Sequence, residues 1–125
     1  MHDDLIARAQ TWLAEDPDPD TRDELAKLIE AGDLTELADR FSGTLQFGTA
    51  GLRGELGAGP NRMNRSVVIR AAAGLAAYLK AGGHTDGLVV IGYDARHKSA
   101  DFARDTAAVM TGAGLRAAVL PRPLP

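Results

Sequence analysis

The chain contains no cysteine. Disulfides, cysteine-ligated metals and a thiol nucleophile are therefore excluded, and a reducing compartment is compatible with the composition. It also lacks a basic excess: 14 Lys and Arg stand against 17 Asp and Glu, for a net charge of −3. Proteins that grip a nucleic-acid backbone carry a basic face or stripe, so nucleic acid is not an expected partner. A few local arginines can still serve a single phosphate whatever the global balance. No apolar run opens the chain, since Met1-His2-Asp3-Asp4 is acidic. Neither a signal peptide nor a membrane span is expected, and the expected location is cytoplasmic. The three histidines, at positions 2, 84 and 97, make no metal-ligand spacing. The carboxylates are scattered over predicted helix surfaces and caps, so no paired acid/base site stands out.

What is present has an uneven layout. At 125 residues, 45% of them apolar, the chain is one domain's worth at most. Leu5, Ala9, Trp12 and Leu13 recur at helical spacing up to the run Asp16-Pro17-Asp18-Pro19-Asp20, which stops the pattern. Thr21 followed by Glu24 reads as a capping box for a second helix bearing Leu25, Leu28 and Ile29, ended by Gly32. Asp33 and Glu36 repeat the box ahead of Leu37 and Phe41. These stripes are narrow, so residues 1–41 are expected to be a helical extension covering a larger body.

From Ser42 to Asn64 there are six glycines and a proline, too many for more than a short strand around Leu45-Gln46-Phe47. A segment this long without regular structure is uncommon in a compact domain and is usually functional. A helix starting near Asn64 or Ser66 then presents Val68, Ala71, Ala72, Leu75 and Leu79, and Gly82-Gly83 ends it. Leu88-Val89-Val90-Ile91 reads as a strand buried on both faces. Ser99 can cap a helix carrying Phe102, Thr106, Val109 and Met110, and Leu115 to Leu120 reads as the next strand. Strand, helix, strand at this spacing is a βαβ unit with a parallel pair. The expected fold class is α/β, with a mixed or parallel sheet and helices on both faces following the helical extension, and 42–125 forming an incomplete domain.

Two loops could carry chemistry. In the first, Gly48, Gly51 and Gly54 let backbone N–H groups approach an anion, Arg53 is a bidentate phosphate donor and Thr49 offers a hydroxyl. Spacing alone fits a phosphate loop and a solvated surface turn equally. A Walker A loop is excluded because no Gly-Lys pair exists, and Gly57-Ala58-Gly59-Pro60-Asn61-Arg62 fails as a dinucleotide fingerprint at Arg62. The second loop, Gly92 to Ser99, lies where α/β sheets place ligands, and Arg96, His97 and Lys98 form a small cationic cluster. The alternative is that Asp94 and Arg96 pair to fix the loop; for Asp94 that reading is preferred. Ser42, Ser66 and Ser99 are explained as loop or cap residues.

The runs Leu45 to Gly54, Gly57 to Asn64 and Gly92 to Ser99, in that order, resemble the α-D-phosphohexomutase family. The likeness is to its phosphoglucomutase, phosphomannomutase and phosphopentomutase branch with a helical N-terminal extension. It covers roughly residues 40–125, the opening part of the family's first domain. The resemblance implies phosphoryl transfer between the 1-position and the terminal carbon of a hexose or pentose phosphate, through a phosphoserine and a sugar bisphosphate. It implies Mg²⁺ as cofactor and a sugar bisphosphate as activator. On that pattern Arg53 reaches toward the phosphoserine, Thr49 and Gly51 shape its loop, and Arg96, His97 and Lys98 border the cleft. Tyr93 stands where many members carry arginine.

The family's serine loop, Thr-Ala-Ser-His-Asn-Pro, does not occur in these residues, nor do the Mg²⁺ loop and the terminal phosphate-binding loop. The serine is expected beyond Pro125. The chain alone is therefore expected to be inactive, with the remainder of a mutase chain as its partner. A phosphosugar-binding module and an interaction fragment are the alternatives.

Overall fold

The computed structural model describes residues 2–45, 47–48 and 51–124. They form two compact units, Met1–Val67 and Val68–Pro125. The expected boundary near residue 41 falls inside the first unit, which groups the glycine-rich run with the helices before it.

The first unit opens with α1 (His2–Glu15), α2 (Pro19–Ala31) and α3 (Leu34–Arg40). Their apolar stripes meet: Ala9, Leu25, Leu37 and Phe41 are buried together with Ala58, and Leu5, Ile6, Trp12, Leu13, Leu28 and Ile29 pack around them. Trp12 meets Phe41 edge to face, with centroids 6.5 Å apart, and the Arg8 guanidinium lies 5.8 Å from the Phe41 centroid. Three short helices, each marginal in isolation, are held by this shared core.

The caps differ in part from expectation. Asp33 caps α3, accepting from the Glu36 N–H at 3.3 Å, and Gly32 ends α2 in the left-handed region at φ 65°. Thr21, however, does not cap α2. Pro19 lacks an N–H and fixes φ, so the helix begins there. Asp18 is the cap, accepting from the Asp20 N–H at 3.0 Å. Thr21 instead donates its hydroxyl to Asp16, and Glu24 is left for another partner.

After α3 come β1 (Phe47–Gly48) and β2 (Gly51–Leu52), an antiparallel pair with Phe47 opposite Leu52. Residues 53–64 follow without a regular element. Asn64 then accepts from the Val67 N–H at 2.9 Å and so caps α4 (Arg65–Ala81).

In the second unit β3 (Leu88–Ile91) and β4 (Arg116–Val119) run parallel in register from Leu88–Arg116 to Ile91–Val119, joined by α5 (Ser99–Gly112). This is the expected βαβ unit, and the architecture is α/β. Ala72, Ala76, Met110 and Leu115 are buried, with Leu79, Val89, Val109, Ala113 and Ala117 packed on them. Two burial expectations change. On α4 the stripe runs through Ala72, Ala76 and Leu79, because the small alanines admit close packing, while Leu75 is exposed. On β3, burial alternates: Val89 faces the core, whereas Leu88 and Val90 are 52% and 62% exposed. One face of the strand is covered, not both. Among the described residues no helix is long and apolar enough to cross a membrane.

Candidate functional site

The first loop is the β1–β2 hairpin and the residues after it. Arg53 follows β2 directly and is exposed, in the first unit. Gly51 pairs with Gly48 at the hairpin. Thr49 lies outside the described residues. The base of the hairpin is closed by side chain and backbone together. Leu45 packs on Gly54 so closely that a Cβ there would come within 2.7 Å of its methyl carbons. The Leu45 N–H also donates to the Pro60 carbonyl at 3.2 Å.

What holds this hairpin is a second turn, in the run Gly57 to Asn64 that carries part of the family resemblance and fails as a nucleotide motif. Leu56 bridges to Met63. The Met63 N–H donates to the Glu55 carbonyl at 2.8 Å, and the Gly57 N–H to the Met63 carbonyl at 3.1 Å. Inside the turn sits Asn64, 2% exposed, its amide donating to the carbonyls of Gly57 at 2.9 Å and Gly59 at 2.8 Å. One side chain thus fixes the turn and caps α4. Gly59 has φ 107°, and a Cβ there would lie 2.9 Å from the Arg40 Cβ and 3.0 Å from its carbonyl oxygen. No other residue type fits that approach without moving backbone.

Charged groups close the turn from outside. Glu24 of α2 accepts from the Ala58 N–H at 2.6 Å and pairs with Arg40 of α3. Arg40 also donates Nε to Glu36 at 2.9 Å. Burial by itself pulls the Arg40 pKa down. Its hydrogen bonds and attraction to Glu36 and Glu24 more than offset this, and the pKa stands above the ordinary arginine value. Arg62, buried, pairs with Asp39 and lies 3.6 Å from Glu36 and 3.7 Å from Glu55. The signal in the sequence was the alternation of Glu24, Glu36 and Asp39 with Arg40 and Arg62, but nothing in the spacing says that they converge.

The second loop belongs to the second unit. Asp94 accepts the Ser99 hydroxyl at 2.6 Å, the Arg96 N–H at 3.0 Å and Arg96 Nε at 2.7 Å. The Ser99 hydroxyl first, and then the Arg96 N–H, hold the Asp94 pKa below the ordinary carboxylate range. The preferred reading of Asp94 is what the structure shows: it fixes the loop. Ser99 is not the cap of α5. A carboxylate is the stronger acceptor, so the hydroxyl donates to Asp94. Lys98 occupies the cap position at φ 71°, in the left-handed region. Arg96 and His97 are exposed and Lys98 is half-buried. Arg96 therefore presents a largely exposed guanidinium with one edge already engaged by Asp94.

Among the described residues no group of three or more His, Cys, Asp or Glu could hold a metal ion. These residues do not fit a Mg²⁺ site.

The chain is similar to a set of sugar-phosphate mutases. It is 41% identical over 113 residues to "Phosphoribomutase" of Saccharomyces cerevisiae, covering 90% of this chain and 18% of that protein. It is 57% identical over 63 residues to "Probable phosphomannomutase" of Haemophilus influenzae, covering 50% of this chain and 13% of that protein. It is 43% identical over 92 residues to "Phosphoglucomutase" of Staphylococcus haemolyticus, covering 74% of this chain and 17% of that protein. The chain thus spans less than a fifth of the length of these curated relatives. No solved structure matches. The family model for phosphoglucomutase/phosphomannomutase, alpha/beta/alpha domain I, matches residues 44–125. Both loops and the turn that braces the first lie inside that range, and the chain belongs to the phosphoglucomutase/phosphomannomutase family through its domain I.

Proposed function

We propose that these residues are the phosphate-positioning part of a phosphosugar mutase. The reaction is reversible transfer of a phosphoryl group between the 1-position and the terminal carbon of a hexose or pentose phosphate. The observation that carries the reading is the match of residues 44–125 to domain I, together with a hairpin whose base is built so that exposed Arg53 follows it directly. A guanidinium beside a glycine-rich hairpin suits a dianionic phosphate, which it can meet with two parallel N–H donors. In the second unit, Arg96, His97 and Lys98 form a separate cationic cluster suited to phosphate, with Asp94 and Ser99 holding their loop. The substrate class follows the names of the relatives, and a cytoplasmic setting suits a cysteine-free chain acting on a soluble phosphosugar.

Phosphoryl transfer by a covalent route needs a nucleophile and a cation that stabilises the transferring group. Ser42 donates to the Asp39 carbonyl, Ser66 to Asp16 and Ser99 to Asp94, so each of the three serine hydroxyls has a structural partner. In this reading the 125 residues position phosphate and carry out no transfer. The nucleophilic serine and the Mg²⁺ ligands belong to other parts of a mutase.

A coupled assay with a sugar 1-phosphate, the activating sugar bisphosphate and Mg²⁺ tests this: no turnover above a buffer blank is expected, and turnover overturns it. Titration of the chain with a hexose 1,6-bisphosphate, beside Arg53→Ala, tests the phosphate role. Weaker binding by the variant is expected; equal binding removes Arg53 from the phosphate site.

A further inference from the structure

A group of hydrogen bonds and ion pairs ties the turn at 55–64 to α2, α3 and the residues just after α3. The Ala58 N–H donates to Glu24 of α2 at 2.6 Å. The Asn61 N–H donates to the Arg40 carbonyl at 3.0 Å, and the Asn61 amide to the Asp39 carbonyl at 3.1 Å and Ser42 Oγ at 3.2 Å. Arg62 pairs with Asp39, and Gly59 is seated on the Arg40 backbone. Ala58 itself, 0% exposed, belongs to the core that α1, α2 and α3 share.

The turn in turn grips both ends of the hairpin. Leu45, before β1, is held by the Pro60 carbonyl, and Glu55, two residues after Arg53, is held by the Met63 N–H. A continuous path of packing and hydrogen bonds therefore runs from the helical core, through Glu24, Asp39 and Arg40, to the turn and then to the segment bearing Arg53. Each step lies inside one compact unit.

We propose that the helical extension is the positioning scaffold of the Arg53 segment, with Glu24 and Arg40 as its positioning residues. Glu24 is the central member because one carboxylate oxygen serves two partners, the Ala58 N–H and the Arg40 guanidinium. A carboxylate is suited to this: it accepts from both at once, and its charge strengthens both bonds. The functional half of the proposal rests on the reading of Arg53 as a phosphate ligand. The structural half does not.

The experiment uses the 125-residue chain, with Glu24→Ala, the isosteric Glu24→Gln and Arg53→Ala. Trp12, the sole tryptophan, reports through its emission whether the helical core persists, and amide hydrogen exchange reports the turn. In Glu24→Ala the amides of Leu45, Gly57 and Met63 should exchange about tenfold faster, with Trp12 emission and the amides of Leu25 and Leu37 unchanged. Glu24→Gln should fall between that variant and the parent, and decides the matter if Glu24→Ala fails to fold. Unchanged exchange at the turn, or faster exchange that includes Leu25 and Leu37 equally, overturns the scaffold.

Titration with a hexose 1,6-bisphosphate then closes a double-mutant cycle. Glu24→Gln should weaken binding several-fold in the parent and not at all in the Arg53→Ala background. Additive losses overturn Glu24 as a positioning residue. If Arg53→Ala binds as the parent does, or neither binds, the phosphate role of Arg53 fails, and the exchange data alone decide the scaffold.

Discussion

The two compact units solve the same problem of burial by different means. In Met1–Val67, three helices close an apolar core around Leu25 and Leu37, both 0% exposed, and a set of charged side chains seals the turn that packs on it. In Val68–Pro125, a parallel strand pair packs half-buried Val89 and Ala117 against a small core that includes Met110 while Leu88 and Val90 stand exposed on the alternate positions. Helices can share one core through narrow stripes. A parallel sheet has two faces and needs a layer on each. The hydrogen-bond pattern differs too: Asn64 is buried and makes its bonds to backbone, whereas Asp94 is half-buried and fastens one loop.

The sharpest way to break this contrast is to remove apolar bulk from the helical core of the first unit. Leu37→Ala should cost about 3 kcal/mol, since the side chain has no solvent exposure and its cavity is ringed by packed neighbours. Urea unfolding followed by Trp12 emission measures it, and a loss under about 1 kcal/mol would show that the three-helix core collapses around the gap.

Asn64→Ala comes next, at about 2 kcal/mol, because it leaves two buried carbonyls without their donor and α4 without its cap. The same denaturant titration reads the cost, and hydrogen exchange at Gly57 and Met63 should rise with it. No change at those amides would break the link between the buried amide and the turn.

Asp94→Asn is a smaller effect, present above the unfolded pKa of the carboxylate and vanishing in acid. The folded pKa of Asp94 is depressed, so its carboxylate stabilises the loop above the unfolded value of about 3.9 and that contribution is lost as pH falls through the folded value. Thermal midpoints between about pH 2 and 6 should therefore show a shallower acid limb in the variant. Parallel limbs would mean that the carboxylate is equally stabilised in the unfolded chain.

Smallest of all is Val90→Thr. The side chain is 62% exposed and the replacement has nearly the same shape, so stability should stay within about 0.5 kcal/mol of the parent. A larger loss, by thermal unfolding, would show that this face of β3 is covered in solution.

Much of the local structure was legible in the sequence because its causes are local. Gly32 and Gly82-Gly83 end helices, Asp33 caps one, and the apolar run 88–91 is a strand followed by a helix and a parallel partner. The pairing of Asp94 with Arg96 was legible too, since the two groups are two residues apart. Around Thr21 two local signals compete, a capping box and a proline at the first helical turn, and the proline decides the start.

The sequence by itself determined the α/β class, the three glycine-rich or charged runs and, through their order, the family. Only the tertiary structure decided what the middle run is for. Glu24 lies 16 positions along the chain from Arg40 and 34 from Ala58, and Asp39 lies 23 from Arg62. Charge attraction and the packing of Ala58 in a helical core bring them together, and neither leaves a periodic trace. Likewise, whether Leu88 and Val90 are buried depends on what lies over their face, which strand composition alone does not fix.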